Sequence, residues 1–123
     1  MSQQIIIKAG PIAIPAELND TKTAKAILQA LPIKNKAQTW GDEIYFSIPV
    51  KAGLENGQDI VNAGDIGYWP PGQAFCIFFG LTPASEGNEI RPASAVTVIG
   101  KITGDTAALK KVKPGNEVRI EKT

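Results

Sequence analysis

Between positions 43 and 50 the chain alternates. Ile44, Phe46, Ile48 and Val50 take one side and Glu43, Tyr45, Ser47 and Pro49 the other, the period of two of a strand with one buried face. Pro49 cannot donate to a ladder and places the end of this strand at an edge. Nearer the start, Ile5-Ile6-Ile7 within residues 4–9 and Ile12-Ala13-Ile14 beyond the turn pair Gly10-Pro11 predict a β-hairpin. The period then lengthens. Ala24, Ile27, Leu28 and Leu31 recur at three- and four-residue spacing, which predicts a helix over residues 20–31, capped by Asn19 or Asp20 and halted by Pro32.

Residues 51–59, with Gly53, Asn56 and Gly57, read as a turn-rich connection, Ile60-Val61 as a short strand, and Gly64-Asp65 as a turn into a strand over 66–69. Pro71-Gly72 suits the two central positions of a type II turn. Residues 75–79 are apolar throughout, as in a strand covered on both faces. Residues 80–91 form a loop, 95–102 a strand with a bulge at Gly100, and 116–121 a last strand with Val118 and Ile120 facing one way. A short helix closing on Lys110, Lys111 and Lys113 precedes that last strand, its lysines complementing the helix dipole.

Parallel neighbours need crossovers of about a dozen residues, which most of these connections lack. The prediction is a mainly β fold: one domain over 1–123, a closed, mostly antiparallel β-barrel with one good helix near the N-terminus and a short one near the C-terminus. Ile44, Phe46, Ile48, Val98 and Val118 should lie inside it, with the first helix over one opening.

Composition narrows the chemistry. Thirteen basic and twelve acidic residues leave a formal charge of +1, so no global field steers the chain toward nucleic acid or an anionic membrane. No apolar run approaches the roughly 18 residues that cross a bilayer, and the expected location is cytoplasmic. The chain has no histidine and one cysteine, which excludes a Ser-His-Asp triad, a Cys-His pair and a histidine or thiolate zinc site within it; no metal and no cofactor are expected. Cys76, inside an apolar run, reads as a buried thiol. Asp65, after Gly64, reads as a turn-former.

The segment Gly64-Asp65-Ile66-Gly67-Tyr68-Trp69-Pro70-Pro71-Gly72-Gln73-Ala74-Phe75-Cys76-Ile77-Phe78-Phe79-Gly80, together with residues 39–46, Thr39-Trp40-Gly41-Asp42-Glu43-Ile44-Tyr45-Phe46, resembles a small prokaryotic family described as cyclophilin-like. The resemblance implies a minimal cyclophilin barrel with a groove on its outer surface. It also implies that Phe78-Phe79-Gly80-Leu81-Thr82 corresponds to the strand that brings a phenylalanine to a proline pocket. Cyclophilins carry an arginine on an early strand that polarises the substrate amide; residues 43–50 hold none, so prolyl isomerase activity of ordinary grade is not expected.

The candidate ligand-binding residues are therefore Trp40, Glu43, Tyr45, Tyr68, Phe78, Phe79, Thr82 and Arg91. Glu43 and Tyr45 share the outer strand face, as a polar patch or as ordinary occupants of an exposed strand. Trp40, Tyr68, Trp69, Phe75, Phe78 and Phe79 are six of the eight aromatics and fall in the segments placed around the groove, though aromatics also fill barrel cores; Tyr68 and Trp69 are expected to be partly exposed. Arg91 either binds a ligand carboxylate or phosphate or pairs with Glu86 or Glu89. The expected partner is a small molecule or a proline-containing peptide held by a binding module. The alternative is a weak prolyl isomerase or another enzyme using Glu43, Tyr45 and Arg91, and a third possibility is a structural or assembly role.

Overall fold

The computed structural model describes residues 3–123. Strands β1 (Gln3–Ala9) and β2 (Ile12–Leu18) form the first hairpin, with Ile7 opposite Ile14 and both side chains inside. Helix α1 (Lys22–Ala30) follows. Its N-cap is Thr21, whose side chain accepts from the Ala24 N–H at 3.1 Å, rather than Asn19 or Asp20. Asn19 acts one step earlier, its Oδ1 accepting from the Thr21 N–H and hydroxyl. The helix ends before Pro32, and Ala24 and Ile27 enter the barrel interior.

Next come β3 (Ile33–Lys36), β4 (Gln38–Thr39), β5 (Glu43–Ser47), β6 (Asp65–Trp69), β7 (Ala74–Phe78), β8 (Thr97–Ile102) and β9 (Glu117–Lys122). They join one sheet in the order β3-β9-β1-β2-β8-β6-β7-β5-β4, every neighbour antiparallel. Its edge strands, β3 and β4, are consecutive in the chain. The Asn35 amide donates to the Ser47 carbonyl at 2.7 Å, tying β3 to β5, so the sheet curls into a nearly closed barrel. Ile5, Ile7, Ile44, Phe46, Ile66 and Ile99 fill it, and the Phe46 and Phe75 rings stack with centroids 5.2 Å apart. Helix α1 closes the end of the barrel where β2 finishes; a 3₁₀ turn over Thr106–Lys111, capped by Asp105, sends Leu109 in at the other.

Several local expectations are corrected. β3 carries one apolar residue, Ile33, and forms because β9 offers it a pairing edge, which no local period announces. The segment Pro70–Gly72 is a 3₁₀ turn, and the positive φ falls on Gln73 at 47° rather than on Gly72. Gly72 is there because the Trp69 ring lies over it: a Cβ would come within 2.9 Å of the indole. The bulge in β8 is at Ile99, between the pairs Gly100–Ile66 and Val98–Gly67, rather than at Gly100. Ile60-Val61 is not a strand; Val61 makes one isolated bridge to Ile90. Val98, expected inside, is half-buried on the outer face. Among the described residues no helix is long and apolar enough to cross a membrane.

Candidate functional site

The alternation in β5 sends Ile44 and Phe46 inward, so Glu43 and Tyr45 face outward. Across the ladder Glu43 stands opposite Phe78 and Tyr45 opposite Cys76. This outer face is not bare. The connections 48–64 and 79–96 fold over it, joined by the bridges Gln58–Val96 and Val61–Ile90. They bury a second small core of Val61, Ala74, Cys76, Phe78, Ile90 and Val96. Gly67 permits this layer: a Cβ there would lie 3.0 Å from Val96 and 3.2 Å from the Phe78 ring.

Where the layer stops, a cavity of about 270 Å³ opens, lined by Trp40, Glu43, Tyr45, Trp69, Cys76, Pro92, Ala93 and Val96. The turn between β4 and β5 presents Trp40, its N–H donating to the Glu43 carbonyl at 3.0 Å. That turn is held by the Asp42 N–H on the Leu81 carbonyl and the Phe79 N–H on the Asp42 carbonyl. On the opposite rim the Trp69 indole N–H donates to Ser94 Oγ at 2.6 Å, leaving the ring to form a wall.

Glu43 is the one charged side chain of this lining, and it is 6% exposed. Burial pushes its carboxyl up from the usual 4.5 to about 7, offset in part by a hydrogen bond from the Cys76 thiol. No lysine or arginine among the described residues is in an ion pair with it. Burial, and then the neighbouring Glu43 charge, push the Cys76 thiol well above its usual value, so it stays protonated and poorly nucleophilic. The sulfur also lies 3.9 Å from the Ala74 carbonyl, a long contact on its other side. No three His, Cys, Asp or Glu side chains are grouped to hold a metal among the described residues.

Of the eight candidate ligand-binding residues, Trp40, Glu43 and Tyr45 meet at this cavity and the other five do not line it; Trp69, expected to be partly exposed beside the groove, is half-buried and does line it. Tyr68, expected to be partly exposed, is fully buried inside the barrel, where its hydroxyl donates to the Val50 carbonyl at 2.7 Å and accepts from the Ala52 N–H at 3.2 Å. Phe78 is fully buried in the second core. Phe79 borders a separate depression with Asp42, Lys110 and Lys113. Thr82 is buried and pins its loop, donating to the Arg91 carbonyl and accepting from the Ala84 N–H. Arg91 is held by Glu89 at 2.7 Å, the ion-pair alternative. Trp69, Cys76, Pro92, Ala93 and Val96 were not among the candidates. The outward parity of Trp69, opposite to that of Tyr68, is a signal that could have found it.

The profile of the family described as cyclophilin-like matches residues 3–121. The chain is similar to a hypothetical protein from Archaeoglobus fulgidus whose solution structure is known: 43% identity over 99% of this chain and 95% of that one, with a TM-score of 0.84. It also shares its fold with McbB, whose structure was determined in complex with tryptophan: 14% identity, TM-score 0.71, covering 97% of this chain and 44% of that one. No curated protein matches the chain.

Proposed function

The chain belongs to the cyclophilin-like family, and on that footing we propose that it is a binding module whose pocket beside β5 takes a small molecule. One observation carries this reading: a mostly aromatic and apolar cavity converges on a single buried polar group, Glu43, the arrangement in which walls give affinity and one polar atom fixes orientation. A volume of about 270 Å³ is at the small end for ligand sites, which favours a compact molecule over a length of peptide. A peptide could enter by one side chain only. The covering layer supports the reading too, because Trp69 is fixed by Ser94 and the turn carrying Trp40 is fixed by Leu81, so two walls are held in place before any ligand arrives.

The same geometry argues against ordinary prolyl isomerase activity. Rotating a peptide bond crosses a barrier of about 18–20 kcal/mol, and lowering it calls for a donor aimed at the twisted amide. The chain has two arginines; Arg91 is held by Glu89, and Arg119 on β9 is 3.1 Å from Glu121. Neither lines the cavity. A proline-peptide assay showing a rate within tenfold of an ordinary cyclophilin, and loss of that rate in Arg91→Ala, would overturn this.

A second reading has its own observation. A carboxyl poised near pH 7 beside a tyrosine is suited to general acid or base catalysis. It predicts turnover of a bound compound that Glu43→Gln abolishes while binding persists. The primary reading is tested by screening metabolites, tryptophan included, for compounds that raise the melting temperature, since a ligand of the folded state must stabilise it.

A further inference from the structure

Resting on the reading of this cavity as a ligand site, we infer that its ligand is an organic cation: a protonated amine or quaternary ammonium group set against the Glu43 carboxylate, with its hydrocarbon part between Trp40, Tyr45 and Trp69.

Charge comes first. An ionised carboxylate only accepts hydrogen bonds. At Glu43 the chain supplies the Cys76 thiol, a weak donor, and no countercharge among the described ion pairs. Buried charges are ordinarily paired within the protein. Glu17, Glu89, Glu117 and Glu121, which are all more exposed, each have a lysine or arginine partner. Glu55 and Glu86 also have no ion pair among the described residues, but Glu86 is exposed and Glu55 accepts from the Lys22 and Thr23 N–H groups, so Glu43 is the glutamate that is buried with neither a cation nor a backbone donor.

The walls make the same choice. Aromatic faces carry negative potential and attract cations, and Trp40, Tyr45 and Trp69 contribute three such rings around one carboxylate. An anion would meet a carboxylate with no basic group lining the site. A neutral apolar molecule would desolvate Glu43 further and return nothing to it. A cation supplies both the donor or charge that Glu43 lacks and a partner for the rings.

The neighbours leave no rival for the charge. Facing Glu43 across the cavity are the Tyr45 phenol on its own strand, the Cys76 thiol on β7, the two indoles, and Pro92, Ala93 and Val96 from the covering loop. Asp42, adjacent in sequence, opens with Lys110 and Lys113 onto a different depression.

Three probes of one shape separate the alternatives: 2-phenylethylamine, 2-phenylethanol and phenylacetate, a cation, a neutral molecule and an anion. Trp40 and Trp69 are the only tryptophans in the chain and both line the cavity, so indole fluorescence reports on this site. At pH 8 the amine should bind at least roughly tenfold more tightly than the alcohol, and phenylacetate should bind least. Because the amine uses the ionised carboxylate, its affinity should fall about tenfold per pH unit below 7, while that of the alcohol stays level. Glu43→Gln should remove most of the amine's advantage over the alcohol and abolish its pH dependence, leaving only the smaller preference of the rings for a cation.

Equal affinities in the unaltered protein, or an amine affinity independent of pH from 5 to 8, would overturn the inference while leaving the cavity a ligand site. If none of the three probes perturbs either indole at millimolar concentration, the inference and the ligand-site reading fall together. The comparison of probes and the pH series need no variant, so neither depends on how Glu43→Gln folds.

Discussion

Replacing Glu43 by glutamine should make the protein more stable at neutral pH and change little at pH 5. In the unfolded chain this carboxyl ionises near 4.5, and in the folded barrel near 7. Between those values the native state holds a proton that the unfolded state has released. Stability contributed by the protonated form is therefore complete below 4.5, declines as pH rises, and is gone above about 7. A slope of about 1.4 kcal/mol per pH unit over that interval accumulates to about 3 kcal/mol. Glutamine has the same shape, keeps an oxygen for the Cys76 thiol, and does not ionise. Urea denaturation of both proteins at pH 5, 6, 7 and 8 isolates the effect. Carboxyls held below their usual range, such as Glu55 accepting from the Lys22 and Thr23 N–H groups, titrate at lower pH and are common to both proteins. The stability of Glu43→Gln relative to the parent should rise by about 2.5 kcal/mol between pH 5 and pH 8. A difference that stays constant across this range would refute the burial argument.

Tyr68→Phe removes the hydroxyl that joins the Val50 carbonyl and the Ala52 N–H inside the barrel, and denaturation should show a loss of about 1–3 kcal/mol. Arg91→Ala breaks a partly exposed pair with Glu89; it should cost less than about 1 kcal/mol and leave ligand affinity at the Glu43 cavity unchanged in titration. Gly67→Val drives a side chain into Val96 and Phe78, so calorimetry should show a loss of about 1–3 kcal/mol, together with weaker binding of any cavity ligand as the covering layer shifts.

Much of the barrel was legible because burial leaves a period. The alternation from Ile44 to Ile48 gave β5 and put Glu43 with Tyr45 on one outer face, and the unbroken apolar run at residues 75–79 gave a strand covered twice, which ends one residue sooner, at Phe78. What covers its outer side was not legible. Loops 48–64 and 79–96 do so through the single bridges Gln58–Val96 and Val61–Ile90, which have no local pattern. Without that layer, aromatics in the matching segments could be assigned to a groove or a core with equal ease: Tyr68 went to the wrong face, and Phe78, on the outer face as expected, is covered by the layer rather than open to a ligand. Parity holds the remedy for Tyr68: Ile66 and Tyr68 point inward, so Trp69 points out. Arg91 drew attention as an isolated arginine on a loop, but Glu89 two residues earlier satisfies it locally. The unpaired state of Glu43 could not be read at all, because it depends on which cations the folded loops leave at a distance.

The proposed binding site is the cavity beside Glu43. Heteronuclear NMR of the two indole N–H signals, Trp40 and Trp69, tests it most directly when recorded with each compound that raises the melting temperature. Such compounds should shift both indole signals, and Tyr45→Ala, at a half-buried wall of the cavity, should weaken the shifts without unfolding the domain. Compounds that stabilise the protein while leaving both indole signals in place would contradict it.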